Sequence, residues 1–287
     1  KPLQALPLVE DGGIERFGIT EVELALCCAS HNGEPEHVEA ALALLGRVGL
    51  GEEALACGPT LPMRGETARA LLRRGEEPRR VHNNCSGKHA GMLALARLHG
   101  WTPAGYERPD HPVQQRVLNT VAAWAGVEPR TVGIGVDGCG VPTFALPLSV
   151  LARSFARLGV AAVTKPDSAP ARIVGAMTRH PEYVAGTGRL CTRLMRAAEG
   201  RVVAKLGAEG VYCAAVPGRG LGLALKVEDG AGRAGEPVLI AVLEQLGAID
   251  AGVAEELLEF AEPEVRNTRS EVVGRIRAVV ELDGAGG

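Results

Sequence analysis

The sequence lacks features that several large classes of protein require. Aromatic side chains make up only 3% of its 287 residues, which disfavours surfaces that stack nucleic-acid bases or sugar rings. No apolar run approaches the roughly 18 residues that a membrane helix needs, and no signal-peptide pattern opens the sequence. The net charge of −3 gives no sign of a nucleic-acid partner or a membrane partner. A small-molecule substrate is the expected partner.

The cysteines also argue against a secreted disulfide-rich protein. Seven of them are spread over the chain, and an odd number in a chain of this length does not match a disulfide framework. A reducing cytoplasm is therefore the expected location. Hydrophobic residues supply 46% and charged residues 23% of the sequence, which is ordinary globular composition. The length predicts one large domain, residues 1–287, with a lobe.

Hydrophobic periodicity divides the chain into a helical part and a strand-rich part. Thr20 and Glu23 form a capping box, which predicts a helix that ends near Ser30. Further helices are predicted at 36–46, 66–74, 87–98, 113–125, 148–158, 168–178, 189–198, 236–247 and 251–260. Strands are predicted at 131–136, 201–205, 211–216, 221–227 and 275–282. The predicted fold class is therefore α+β, with a helical lobe at about 20–180 and an antiparallel sheet region at about 200–284.

Two segments contain a cysteine beside charged groups and glycines. Cys85 and Lys88 lie three residues apart where a helix is predicted to begin, so one turn can bring both heads together. Asp137 and Cys139 follow the end of a predicted strand, among glycines that permit close backbone approach. Two thiolates could bind zinc. The alternative is that both cysteines are small buried hydrophobes, because no CxxC or HxxxH pattern is present.

Two further segments could supply a nucleophile and its base. Ser30 is predicted at a helix end beside His31, where it could be exposed for attack or could simply cap the helix. His31 could be a general base or an ordinary hydrogen-bonded histidine. Lys205-Leu-Gly207, on a predicted edge strand, is similar to the Lys-Thr-Gly element of serine acyl-transfer enzymes. A solvated lysine before a turn is the alternative interpretation.

Taken together, these segments resemble the L-asparaginase II family, a zinc-containing serine–lysine class of asparaginases. The matching segments follow one another along nearly the whole chain: Lys1-Pro-Leu-Gln-Ala-Leu-Pro, Ala29-Ser30-His31, Asn84-Cys85-Ser86-Gly87-Lys88-His89, Asp110-His111-Pro112-Val113-Gln114, Asp137-Gly138-Cys139-Gly140-Val141-Pro142, His180-Pro181, Val184-Ala185-Gly186-Thr187 and Lys205-x-Gly-Ala-Glu-Gly. An ordered set of this length is far more specific than any single motif.

The resemblance implies a fold like that of serine β-lactamases and glutaminases, and hydrolysis of L-asparagine to aspartate and ammonia. It also implies two serine–lysine pairs, one using the lysine that matches Lys1 and one joining Ser30 to Lys205. The implied zinc is held by Cys85, Lys88 and Cys139 with a water molecule, and the implied assembly is a homodimer. Residues expected to bind or orient the substrate are Asp137, His89 and Asn84.

One departure from the family pattern concerns the N-terminus. The serine of the Ser-x-x-Lys element would stand three residues before Lys1, and the expected preceding strands would lie further upstream. The choice of nucleophile between Ser30 and that serine is therefore open. If the natural chain began at Lys1, we would expect an inactive, poorly stable protein, which about fifty upstream residues should rescue. A smaller departure is Gly58-Pro-Thr-Leu-Pro, where the family tends to carry aromatic and histidine residues.

Two other functions compete with the amidase. A β-lactamase-like or transpeptidase-like serine enzyme would use the same Lys-x-Gly geometry. A non-enzymatic module that binds metal or undergoes thiol redox chemistry would use only Cys85 and Cys139. The amidase requires that folding bring Ser30, Lys205 and the two cysteine segments to the walls of one cavity, and this geometry is what the structure tests.

Overall fold

The structure, a computed structural model, describes residues 1–282 of the chain. The helices of this part are α1 (Pro2–Glu10), α2 (Gly13–Phe17), α3 (Glu21–Cys27), α4 (Pro35–Arg47), α5 (Gly65–Arg73), α6 (Ser86–Leu98), α7 (Pro112–Ala125), α8 (Leu148–Thr164), α9 (Ala169–Arg179), α10 (Pro181–Val184), α11 (Leu190–Ala197), α12 (Gly235–Gln245), α13 (Ala251–Glu256) and α14 (Leu258–Ala261). The strands are β1 (Gly133–Val136), β2 (Pro142–Ala145), β3 (Val203–Leu206), β4 (Val211–Val216), β5 (Leu221–Lys226), β6 (Glu264–Arg266) and β7 (Val272–Arg275).

The capping box at the start of α3 is formed as predicted. Thr20 Oγ1 accepts a hydrogen bond from the Glu23 amide at 3.3 Å, and Glu23 Oε2 accepts one from the Thr20 amide at 2.7 Å. The two side chains thus satisfy donors that the first helical turn leaves free. The helix ends at Cys27, three residues earlier than predicted, so Ser30 lies in the following loop.

The predicted run of consecutive antiparallel strands is confirmed as the three-stranded sheet β3–β4–β5. Five of the six residues of the central strand β4 are buried, as a strand covered by helices requires. Helix α8 lies directly on β5: a Cβ at Gly222 would come within 2.0 Å of the Ala152 carbonyl oxygen. Glycine at this position therefore allows the close approach of helix and sheet.

Three of the differences between the predicted and observed elements have a plain physical reason. The predicted strand 275–282 is wrong beyond Arg275, where β7 ends; Val279 beyond it is 95% exposed, and an apolar alternation without a pairing strand does not make a sheet. Helix α8 continues to Thr164 because its apolar face extends past the predicted end. Strand β2 was not predicted, since a run of four residues that begins with proline gives little strand signal.

The architecture is α+β, with small antiparallel sheets beside a helical region, as the sequence predicts. One large apolar core joins α1, α3, α6 and α9 to the inner face of the β3–β4–β5 sheet. Within residues 1–282, every helix is either too short or too polar to cross a membrane. The assignment of the whole chain to a single domain stays a prediction.

Candidate active site

Ser30 is held between the end of α3 and the start of α6 by unusually close helix packing. A Cβ on Gly87 would lie 2.4 Å from the Leu26 carbonyl oxygen, and one on Gly91 would lie 2.8 Å from Cys27 Sγ. Only glycine at these two positions lets α6 approach α3 so closely. The close approach brings the loop after α3, with Ser30, beside Cys85, which caps the start of α6.

The Ser30 hydroxyl lies between two lysine amines. Lys1 Nζ and Lys205 Nζ each lie 2.8 Å from Ser30 Oγ, within ordinary hydrogen-bond distance. Ser30 is half-buried, whereas Lys205 is only 5% exposed. A hydroxyl and an amine at this separation can exchange a proton directly, which is the geometry of an activated serine.

Lys205 reaches Ser30 from strand β3. Its backbone pairs with Cys213 on β4, so the strand is fixed and the side chain points from a rigid sheet. Burial and the positive charge of Lys1 lower the pKa of Lys205 to about 7, because both disfavour the charged ammonium. A fraction of Lys205 is therefore a neutral amine near neutral pH. The pKa of the Lys1 side chain is also lowered, chiefly by burial, although Cys85 acts in the opposite direction.

Cys85, Lys88, Asp137 and Cys139 form a second cluster next to the serine. The thiol sulfurs of Cys85 and Cys139 and a carboxylate oxygen of Asp137 all lie within 4.8 Å of one another. Lys88 Nζ lies 2.9 Å from Asp137 Oδ2 and 3.1 Å from Cys139 Sγ. Lys1 Nζ, which touches Ser30, also lies 3.1 Å from Cys85 Sγ, so the two clusters are continuous.

The charges in this second cluster stabilise one another. A hydrogen bond from the Cys139 thiol lowers the pKa of Cys85 below its ordinary value, and the nearby lysines act in the same direction against burial. Burial alone would raise the pKa of Asp137, but the Lys88 ammonium outweighs it and lowers the pKa to about 2. Burial alone would lower the pKa of Lys88, whereas Cys85, Cys139 and Asp137 together raise it. Lys88 is thus a cation surrounded by sulfur and oxygen acceptors.

Both clusters line a single cavity of about 640 Å³. Eight of the nine residues expected to form the site are in its wall: Lys1, Ser30, Asn84, Cys85, Lys88, Asp137, Cys139 and Lys205. These residues come from the N-cap of α1, the loops after α3 and β1, the segment that leads into the first turn of α6, and strand β3. The single-cavity geometry that the amidase interpretation requires is therefore present.

The structure does not bring His89 to the cavity wall. His89 is fully buried, and its Nδ1 faces the Tyr106 hydroxyl. Burial and the Lys88 charge lower its pKa to about 3. Consecutive residues of an α-helix point about 100° apart around its axis, so Lys88 and His89 lie on different faces of α6 and only Lys88 reaches the cavity.

Several residues of the cavity wall were not expected from the sequence. Thr60, Met63, Asn83, Phe144 and Phe155 also line the cavity. Asn83 could have been inferred from its place in the Asn-Asn-Cys motif. Thr60 and Met63 lie in irregular chain before α5, where periodicity gives no signal.

A comparison with curated proteins returned no match. The sequence model of the family described as L-asparaginase II matches residues 1–278, which is nearly the whole chain. A match of this extent includes every residue of the cavity wall described above. The chain therefore belongs to the L-asparaginase II family.

Proposed function

We propose that the protein hydrolyses the side-chain amide of L-asparagine to L-aspartate and ammonia, with Ser30 as the nucleophile. The observation that carries the proposal is the Ser30 hydroxyl placed 2.8 Å from each of two lysine amines in one cavity. Family membership supports an amidohydrolase acting on asparagine.

The lysines supply the base that a serine requires. Two ammonium groups this close repel each other, so before Ser30 loses its proton at most one of Lys1 and Lys205 is charged. Lys205, with its pKa near 7, accepts the Ser30 proton. The charge of the Lys1 side chain then faces the oxygen that becomes negative in the tetrahedral intermediate.

The atoms balance over two steps. In the first, the Ser30 Oγ–carbon bond forms, the amide C–N bond breaks, and ammonia leaves with the proton held by the lysine. In the second, water attacks the aspartyl ester, the lysine accepts a proton from that water, and the lysine passes this proton to Ser30 Oγ as the ester C–O bond breaks. Aspartate is released and the site returns to its starting state.

Asp137 and Asn84 are proposed to hold the substrate's backbone groups. The Asp137 side chain is 29% exposed and remains a carboxylate across the physiological range, so it can pair with the substrate α-ammonium. Asn84 is half-buried at the cavity wall and offers an amide to the α-carboxylate. Both would be positioned by α6 and the β1–β2 turn.

The second cluster fits a zinc ion. Two thiols and a carboxylate within 4.8 Å of one another form a donor set that zinc favours, and Lys88 already occupies a cation position among them. Cys85, Cys139 and Lys88 after loss of its proton would hold the ion, with Asp137 beside it. Bound zinc would act as a Lewis acid that polarises or orients the substrate amide.

The metal proposal predicts a loss of zinc when the thiols are removed. In the Cys85→Ser/Cys139→Ser double variant we expect bound zinc to fall from about one ion per chain to a trace. Cys57→Ser is the matched control, because Cys57 is buried away from the cavity wall and its thiol donates a hydrogen bond to the Arg80 carbonyl. Elemental analysis of purified protein measures the difference. Full zinc retention by the double variant would show that Cys85 and Cys139 do not bind the metal.

The lysine mechanism also predicts a pH dependence with a defined sign. Because Lys205 must be neutral to accept the proton, kcat/KM should rise as pH increases through about 7. Burial holds the pKa of His89 at about 3 and that of His31 well below its ordinary value. The titration of these two rings therefore cannot cause the rise in kcat/KM near pH 7. Steady-state rates measured between about pH 5 and pH 9 test it. A flat profile over that range would contradict the role of Lys205.

We also propose that the protein has a fold like that of serine β-lactamases, as the family resemblance implies. The three antiparallel strands, the helix lying on them and a lysine on a sheet strand facing the serine are consistent with that architecture. A β-lactam-hydrolysing enzyme would use the same pair, and ammonia release from asparagine compared with nitrocefin hydrolysis separates the two. Homodimer assembly and a cytoplasmic location stay predictions.

A further inference from the structure

We propose that His31 is a positioning residue, a neutral imidazole that locks the Ser30 loop to the start of α6 so that the hydroxyl stays between its two lysines. The proposal rests on the function proposed above and adds a residue to it. His31 has no exposed surface and is not part of the cavity wall within residues 1–282. It therefore acts through Ser30 and does not touch the substrate.

The hydrogen bonds of the ring fix its tautomer. His31 Nδ1 accepts a hydrogen bond from the Gly33 amide at 3.1 Å, so the ring hydrogen is on Nε2. Nε2 lies 3.0 Å from Ser86 Oγ and donates to it, because the Ser86 hydroxyl donates its own hydrogen to the Val81 carbonyl at 3.0 Å. Each donor in this series of hydrogen bonds has one acceptor. A protonated ring would leave the Gly33 amide without its acceptor.

The backbone on either side of Ser30 is tied to the same surroundings. The Ser30 amide donates to the Val184 carbonyl at 2.9 Å, and the His31 amide donates to the Asn84 carbonyl at 3.1 Å. Ser86 is the first residue of α6 and follows Cys85 directly. The His31 side chain and main chain therefore both connect the serine loop to the segment that carries Asn84 and Cys85.

Two local features restrict the ring further. Gly33 has a φ of +73°, and a Cβ there would lie 2.8 Å from the His82 carbonyl oxygen, so the turn that aims its amide at His31 requires glycine. The His37 ring stacks on His31 with centroids 4.9 Å apart. His37 Nδ1 accepts from the Glu34 amide and Nε2 donates to the Glu182 carbonyl, so the second ring is also held in place.

This arrangement decides between the two interpretations of His31 that the sequence left open. A general base needs a free nitrogen facing the reacting proton, whereas both nitrogens of His31 are used away from the cavity. The hydrogen-bonded interpretation is favoured, with the added consequence that the bonds determine where Ser30 lies. A displacement of about 1 Å at a reacting group can lower a rate by about 100-fold.

The test compares His31→Asn, His31→Gln and Ser86→Ala in the full-length protein. An asparagine side chain at position 31 can replace Nδ1 as acceptor but cannot reach Ser86. A glutamine side chain there can reach Ser86. We expect His31→Asn to lower kcat about 100-fold with KM changed less than about threefold. His31→Gln should recover most of that loss. The kcat of the His31→Asn/Ser86→Ala double variant should be no lower than that of the less active single variant, because both changes break the same His31–Ser86 hydrogen bond.

His111→Asn is the matched control for a merely structural role. His111 is also buried, accepts from the amide two residues on through Nδ1 and donates through Nε2 to the Thr102 carbonyl, but it lies outside the cavity wall. We expect it to lower Tm and leave kcat within about threefold. An equal loss of kcat in His111→Asn, or a kcat of His31→Asn within about threefold of the unaltered protein, would overturn the proposal.

A second readout is independent of asparagine turnover. A sulfonyl fluoride reacts with the Ser30 oxygen, releasing fluoride as the hydroxyl proton passes to the lysine, and peptide mass spectrometry locates the ester. The labelling rate at Ser30 should fall in His31→Asn and recover in His31→Gln. If the unaltered protein hydrolyses no asparagine, the proposed function fails, and the labelling rates still decide whether His31 positions Ser30. Equal labelling rates in all three proteins would refute the positioning role.

Discussion

Replacing Ser30 by alanine should abolish asparagine hydrolysis almost completely. We expect kcat/KM to fall by at least about a thousandfold, because the change removes the atom proposed to bond to the substrate carbonyl. The loss should appear mainly in kcat, since Asp137 and Asn84, which are proposed to bind the substrate, are unaltered. Ammonia release by the full-length protein, measured at saturating asparagine, gives the result.

Ser154→Ala is the control for that experiment. Ser154 is buried, and its hydroxyl donates only to the Val150 carbonyl of its own helix, at 2.8 Å. Its loss should change stability slightly and leave kcat/KM within about twofold. If Ser30→Ala retained more than about a tenth of the activity, a group other than Ser30 would be the nucleophile.

Replacing Lys205 by methionine should have the second largest effect, and it should act in opposite directions on activity and stability. We expect kcat to fall about a thousandfold, because no neutral amine then accepts the Ser30 proton. The fold should become more stable at pH 6. Burial lowers the pKa of Lys205 to about 7, so the amine must lose hydration or its proton on folding, whereas methionine has no such cost.

The sign of the stability effect follows from proton binding. Between about pH 7 and the ordinary lysine value of about 10.4, the folded protein binds fewer protons at this amine than the unfolded chain does, so its stability rises with pH. The methionine variant therefore has its largest advantage, a Tm higher by about 3 °C, below pH 7. At pH 9 the advantage should shrink.

Lys226→Met separates this effect from a general loss of charge. Lys226 is exposed at the end of β5, and both Tm and kcat should stay near their original values. Thermal unfolding at the two pH values, together with ammonia release, completes the comparison. A Lys205→Met protein that lost stability at pH 6 as well as activity would show that the lysine is structural rather than a buried base.

The chemistry-bearing residues could be predicted from the sequence because they lie in short motifs. Ser30, Lys205, Cys85, Lys88 and Cys139 all reach the predicted cavity, although no local rule states that residues 175 positions apart, such as Ser30 and Lys205, will meet. The resemblance to the family supplied that information. Spacing alone left each residue with an ordinary structural explanation, such as a helix cap or a buried thiol.

Features that depend on tertiary contact could not be predicted in the same way. The family resemblance predicts His89 at the substrate, but the helix turns it towards Tyr106. His31 was left with two interpretations because a single sequence does not show where Ser86 and Gly33 lie relative to its ring. The cavity wall at Thr60 and Met63 comes from irregular chain, where neither periodicity nor turn chemistry specifies a position.

The most direct test of the account is to trap the covalent intermediate. The full-length protein is mixed with asparagine, quenched in acid within the first turnovers, and digested for peptide mass spectrometry. The account predicts that the peptide containing Ser30 gains the mass of one aspartyl group, and that Ser30→Ala gains none. Rapid asparagine hydrolysis with an unmodified Ser30 peptide and the aspartyl group on another residue would contradict it.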